Sequence, residues 1–207
     1  MCAETIRRAA SLGAGMLFVH HGLFWGHEQP VTGVLYQRLS LLLKNNIALY
    51  ACHIPLDANE AAGNNYGLAR RLLLTQVLPF GEWRGMIFGV IGNLEKPCTV
   101  DTLLQRLFPN GEKPVAVLPF GKKEIRRAAV VSGSGSKELI PAAAAGADVL
   151  VTGDFPHGAY HLAEESCIND IAGGHYQTET AGVSLLAAKL AAETKLETVF
   201  IYVHTGL

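Results

Sequence analysis

Short apolar runs that stop at a glycine or a polar residue alternate along the whole chain with longer stretches of helical spacing. This alternation limits the fold more than any other feature. Runs of strand length lie at residues 16–19, 47–52, 86–91, 115–118, 125–131, 149–152, 167–172 and 198–203. Residues 4–12, 33–45, 64–74, 99–108, 137–145, 156–166 and 178–193 carry helix signals, with Thr99 as an N-cap and Gly13 and Asn45-Asn46 as stops. Strands alternating with helices predict an α/β fold. With 207 residues, 49% hydrophobic and 17% charged, the chain can bury a sizeable core, and disorder is not expected.

Composition removes several function classes. A formal net charge of −1 gives no basic field, so nucleic acid is not expected as the main partner. Cys2, Cys52, Cys98 and Cys167 are scattered, with no C-x-x-C pair, which argues against a zinc ribbon or a disulfide framework and fits a reducing cytoplasm. Glu4, Arg7 and Arg8 stand near the start without an apolar core behind them, so no signal peptide is expected. No charge-free apolar run reaches bilayer-spanning length, so no membrane association is expected. Low charge with an apolar excess points to surface buried between subunits.

Residues 9–21 resemble residues 142–154: each reads as helix, Gly-Ala stop, strand, then polar residues at the strand end. On this alignment His20 falls on Gly153 and His21 on Asp154. The expectation is two related α/β lobes, residues 1–118 and 119–207, split within residues 114–122 and facing each other across a cleft. Gly-Ala connections are also common in unrelated α/β proteins.

The chemistry gathers at strand ends. Leu17-Phe18-Val19 runs straight into His20-His21-Gly22, at the C-terminal end of a strand, where open α/β sheets bind ligands. Neighbouring strand side chains point to opposite faces, so this pair suits two close ions better than one. Read alone, the two are equally a core histidine and a surface histidine. Asp57 follows a strand and Pro55, placed either to ligate a metal or to cap a helix before Asn59-Glu60. His53 is either a hydrogen-bonding support for the site or a satisfied core residue. His175 and Glu179 are spaced i, i+4, as ligands or as an ordinary exposed helix pair, and Thr178 could cap that helix and leave His175 outside it. Together, three imidazoles and two carboxylates suit two borderline divalent ions such as Zn²⁺, Fe²⁺, Mn²⁺ or Co²⁺, with Glu179 the natural bridge. Such a pair, about 3.5–4 Å apart, activates a bridging water. Ser132-Gly133-Ser134-Gly135-Ser136 reads as a tight turn or as an anion cradle, but lacks the P-loop and dinucleotide patterns. Thr152, Asp154, His157 and His161 offer polar groups on the other wall of the cleft without being assigned as ligands.

Taken in order, these motifs resemble the Nif-three-like dinuclear-metal proteins, often labelled GTP cyclohydrolase I type 2 homologues. The resemblance is carried by residues 19–25, 53–58, 63–65, 131–136, 151–154 and 172–179 and spans nearly the whole chain, in the manner of short bacterial members. It implies two α/β lobes around a dimetal centre and a toroidal homo-hexamer. It also implies His20, His21, Asp57, His175 and a bridging Glu179 as ligands. Two functions follow: a metal-dependent hydrolase acting on a small anionic, nucleotide-like or phosphoester substrate, or a non-catalytic metal-binding or regulatory oligomer. Relatives usually carry a further segment before the helix that begins here at Glu4, so the first lobe's sheet is expected to be a strand short.

Overall fold

A computed structural model of the chain describes residues 1–205 and has a mixed α/β architecture. The first elements are α1 (Ala3–Ser11), β1 (Met16–Val19), α2 (Gly33–Lys44), β2 (Ala48–Ala51), α3 (Ile54–Asp57) and α4 (Asn64–Arg71). Then come β3 (Leu74–Trp83), β4 (Met86–Cys98), α5 (Val100–Leu107), β5 (Ala116–Pro119) and β6 (Ile125–Val131). The last are α6 (Leu139–Ala144), β7 (Val149–Thr152), α7 (Ala159–Glu165), β8 (Asn169–Ala172), α8 (His175–Thr178) and α9 (Thr180–Glu193). β1 and β2 pair in parallel, Met16 opposite Ala48 and Val19 opposite Ala51. The other strands form one sheet in the order β3-β4-β6-β7-β8-β5, parallel between β6, β7 and β8 and antiparallel elsewhere. This sheet is continuous across the expected boundary at residue 118, because the β3–β4 hairpin docks on β6.

The repeat is written in the helix ends. α1 closes with Gly13 at φ 68°, its N–H on the Ala10 carbonyl and the Ala14 N–H on that of Ala9. α6 closes identically, with Gly146 at φ 78° bonded to Ala143 and Ala147 bonded to Ala142. This paired 5→2 and 6→1 bonding is a Schellman motif, which needs one residue in the left-handed region and so selects glycine. Asn46 after α2 and Cys167 after α7 repeat it without glycine, at φ 53° and 51°. Thus α1-β1-α2-β2 and α6-β7-α7-β8 share element order, junction geometry and parallel pairing. Each unit is followed by a helix of four residues, α3 in one and α8 in the other.

Three segments differ from the sequence expectations. The helix signal over residues 64–74 stops at Arg71, and Leu74–Trp83 is a ten-residue strand that periodicity does not reveal. Pro79 and a bulge between Thr75 and Leu78 break the alternation there. Both are tolerated because β3 is an edge strand. β4 runs on to Cys98, beyond residue 91, because β3 and β6 both supply partners. The strand expected over residues 198–203 forms no ladder among the described residues. Its groups bond elsewhere: Arg8 donates to the Tyr202 carbonyl, and the Val203 N–H donates to the Tyr176 hydroxyl. Thr99 caps α5 as expected, its hydroxyl accepting from the Thr102 N–H.

Both faces of the large sheet are covered. Leu68, Leu72, Leu103 and Leu107 from α4 and α5 pack against Val130, Val151 and Ile171 on one side. Leu139, Ala142 and Ala163 from α6 and α7 pack against Ala129, Val131 and Leu150 on the other. A smaller core of Ile6, Ala9, Leu17, Val19 and Leu42 holds the first lobe together. Asp170 in β8 is buried, and neither carboxylate oxygen has a hydrogen-bond partner among the described residues. Desolvation pushes its carboxyl up to about 7. The folded state then holds a proton that the unfolded chain has released, so stability falls as pH rises from about 4 to about 7. Asp170→Asn removes that dependence. Its stability advantage over wild type should grow by on the order of 2–3 kcal/mol between pH 5 and pH 8, at 1.36 kcal/mol per pKa unit. Urea denaturation at both pH values checks this; a constant difference would refute it.

Candidate metal centre

The five residues singled out in the sequence are brought to one place by strand ends of both lobes. His20 and His21 follow β1, and Asp57 closes α3 just after β2. His175 opens α8 after β8, and Glu179 sits at the break between α8 and α9, at φ −105° and ψ 7°. The expected single helix over residues 178–193 therefore begins one turn earlier and is interrupted at Glu179. Thr178 is not its N-cap: its hydroxyl donates back to the Gly174 carbonyl and accepts from the Gly133 N–H. Asp57 is no helix cap either, since both its hydrogen-bond partners are buried side chains.

Glu179 is the centre of the cluster. One carboxylate oxygen lies 3.6 Å from His20 Nε2 and 3.2 Å from His175 Nε2, and the other lies 2.9 Å from His21 Nε2. Asp57 Oδ2 lies 3.4 Å from His20 Nε2. The donor atoms fall into two groups of three, His20/Asp57/Glu179 and His21/His175/Glu179, each with all its atoms within 4.8 Å of one another. Adjacent histidines at the strand end thus enter different groups, and Glu179 belongs to both. A third group joins His20, His21 and His53, whose rings stand 4.9–5.0 Å apart.

The surroundings point the donors inward. His20 Nδ1 meets the Cys52 carbonyl at 2.9 Å, and His175 Nδ1 meets the Asp154 carboxylate at 3.0 Å, so in both rings Nε2 is turned to the cluster. Asp57 Oδ1 accepts from Asn64 Nδ2 at 2.8 Å and from the Ser132 hydroxyl at 3.0 Å, leaving Oδ2 for His20. Asn64 is fixed in turn by the Gly182 N–H, and Asn65 accepts from the Ser132 N–H. The Nε2 atoms of His20, His21 and His175 are buried yet make no aligned hydrogen bond, although carboxylate oxygens lie close. Buried nitrogens left this way are costly unless a further group takes their lone pairs. This donor set fits borderline divalent cations.

Electrostatics agree with a cation-binding pocket. Burial raises the Glu179 carboxyl, but the His175, His20 and His21 imidazoles outweigh it and hold the group far below the carboxylate range. Glu179 in turn pushes the His175 imidazole up to about 9, against desolvation and with help from Asp154. Burial lowers His20, yet Glu179 and Asp57 leave it above its ordinary value. Desolvation also raises Asp57, with His20 and Asn64 opposing. His53 moves the other way, to about 4, through desolvation and the His20 and His21 imidazoles beside it. It is therefore neutral at pH 7.

In the glycine-rich loop, side chains occupy three of the five N–H groups that an anion cradle would use. The Ser132, Gly133 and Gly135 N–H groups are taken by Asn65, Thr178 and Thr152 side chains. At Gly133, φ is 63°, and a Cβ would stand 2.2 Å from Glu179 Oε1. His161 lies on the exposed surface of α7 beside Glu164 and takes no part in the cluster.

The Duf34/NIF3 (NGG1p interacting factor 3) model matches residues 1–206. The chain belongs to the DUF34/NIF3 family. A relative named GTP cyclohydrolase 1 type 2 homolog from Treponema pallidum is 44% identical, covering 100% of this chain and 84% of its own length. The crystal structure of TTHA1606 from Thermus thermophilus superposes with a TM-score of 0.87 at 39% identity, over 98% of this chain and 80% of that one. Protein ybgI, titled as of unknown function, gives 0.86 at 33% identity over 98% and 81%. Within this DUF34/NIF3 chain, sequence reasoning passed over the work of Asn64, Asn65, Ser132, Gly133 and Asp154 at the centre. The Gly63-Asn64-Asn65 element was the one local signal for the first two; buried asparagines need partners, and here the partners are Asp57 and Ser132.

Proposed function

We propose that His20, His21, Asp57, His175 and Glu179 hold two divalent metal ions, with Glu179 bridging. In this reading the protein is a metal-dependent, hydrolase-like enzyme acting on a small nucleotide-like or phosphoester substrate. The observation that carries it is the sharing of one carboxylate by two three-donor groups. Three protein donors to an ion leave a coordination position open, as catalytic rather than closed structural sites do. When bound, such a pair supplies Lewis acidity and lowers the pKa of water held between the ions. The donor set suits Zn, Fe, Mn or Co.

The chain's own residues define the approach. His21 and His175 are about one-third exposed, Glu179 is mostly covered and His20 and Asp57 are buried, so a reactant would enter over the two exposed imidazoles. Trp25 presents its ring edge-on to His21 and His53 at 5.6 and 5.2 Å and forms one side of that mouth. Neutral His53 beside it offers a reactant a hydrogen-bonding ring nitrogen. With three loop amides already bonded, an anionic substrate group would be held by the metal centre itself. The names of the curated relatives support a nucleotide-like substrate class. Exposed Phe24, Val34, Leu43 and Leu73 support a homo-oligomer, for which the resemblance suggests a toroidal hexamer.

The test is a screen of nucleotides and phosphoesters on metal-reconstituted protein, with Glu179→Gln as control. Turnover is expected in wild type and should fall by about a hundredfold or more in the variant, in the range set by loss of an essential catalytic contact. Two retained ions with no turnover of any substrate would overturn the enzymatic reading in favour of a metal-binding or regulatory oligomer.

A further inference from the structure

The repeat places Asp154 where the first lobe has His21, and the two do different work. Asp154 belongs to none of the three donor groups. Both its carboxylate oxygens lie 3.0 Å from His175 Nδ1, on the ring edge away from Glu179. The carboxylate is itself anchored. The Ser134 hydroxyl donates to its Oδ2, the Ser136 hydroxyl donates to its backbone carbonyl at 2.8 Å, and its own N–H donates to the Gly133 carbonyl at 3.0 Å. Two of the three serine hydroxyls between β6 and α6, those of Ser134 and Ser136, thus hold Asp154, while that of Ser132 goes to Asp57. The matching nitrogen of His20 meets only a neutral carbonyl, that of Cys52.

We propose that Asp154 is the positioning residue of the His21/His175/Glu179 group, acting through His175, and that it makes the two halves of the centre unequal. A carboxylate at Nδ1 keeps the proton on that nitrogen, turns Nε2 into the donor cluster and makes it a stronger ligand for a cation. A backbone carbonyl at His20 orients that ring with less polarisation. The ion held by His175 therefore depends on Asp154, and the ion held by His20 and Asp57 does not. This rests on the dimetal reading above.

The experiment compares wild type, Asp154→Asn, Asp154→Glu and Ser134→Ala, each stripped of metal and titrated with Zn²⁺ against a chromophoric chelator. Asp154→Asn should weaken one of two binding steps by about 10–100-fold, the range for partners of metal-ligating histidines. The other step should be unchanged. Asp154→Glu should recover part of the loss, and Ser134→Ala should cause a smaller one at the same step. Both steps unchanged in Asp154→Asn, or both weakened alike with a lowered melting temperature, would overturn the proposal. Imidazole ¹⁵N–¹H spectra of the metal-free proteins separate this from failure of the metal reading. If wild type binds fewer than two ions, the dimetal centre is wrong; His175 Nδ1–H signals that stay the same in Asp154→Asn would show independently that Asp154 does not position the ring.

Discussion

Replacing Glu179 by alanine is expected to abolish retention of both metal ions, whereas His175→Ala should weaken chiefly one. The difference follows from where the donors sit. Glu179 lies in two of the three donor groups, so its loss leaves each of those with two donors; His175 lies in one. Glu179 also supplies the charge that balances three surrounding imidazoles, all within 3.6 Å of its oxygens. Without it, Asp57 alone faces them, and a cation entering the pocket meets less compensating charge. Affinity should fall by more than the roughly 100-fold upper range seen when a supporting partner is lost. Elemental analysis after dialysis checks the stoichiometry, and two ions retained by Glu179→Ala would sink the bridging role. In the metal-free variant the His175 imidazole, whose leading cause of elevation is Glu179, should titrate below about 9.

Gly133→Ala should cost the protein nearly all of its metal. The added methyl group meets two separate penalties. A non-glycine residue at φ 63° carries about 1–2 kcal/mol of backbone strain. The Cβ would also stand 2.2 Å from Glu179 Oε1 and 3.2 Å from His175 Nε2, so the carboxylate must swing away. That movement takes away the shared donor and also leaves three imidazoles without their nearest counter-charge. Gly13→Ala is the matched control: φ is 68° and nothing lies within 4 Å of a Cβ there. Thermal melts should drop in both variants, further in Gly133→Ala, with metal lost only from Gly133→Ala. A Gly133→Ala protein that keeps two ions would show that the loop does not fix the carboxylate.

Local pattern carried a good deal of the fold. The runs before His20 and Gly153 are strands because each is short, mostly apolar and bounded by a turn or polar residue. The Gly-Ala junctions at Gly13 and Gly146 do have one conformation, because glycine is the residue that takes the left-handed cap without strain. Where the local signal was mixed, neighbours decided. Leu74–Trp83 is a strand despite Pro79 and Gly81, because β4 offers its backbone a long antiparallel partner. Residues 198–203 have strand composition, yet Arg8 and Tyr176 take up their backbone groups instead.

The candidate centre divides along the same line. The donor types, their position at strand ends and the i, i+4 spacing of His175 and Glu179 were legible in the sequence, because these follow from residue chemistry and short-range geometry. Long-range packing is what puts Glu179 among the three imidazoles, gives one Asp57 oxygen to Asn64 and Ser132 while keeping the other for His20, and sets Asp154 behind His175. Those contacts join residues as far apart as Asp57 and Ser132. Which lone pair of a buried carboxylate stays free is set by partners that the fold brings from distant parts of the chain, and no local periodicity encodes them.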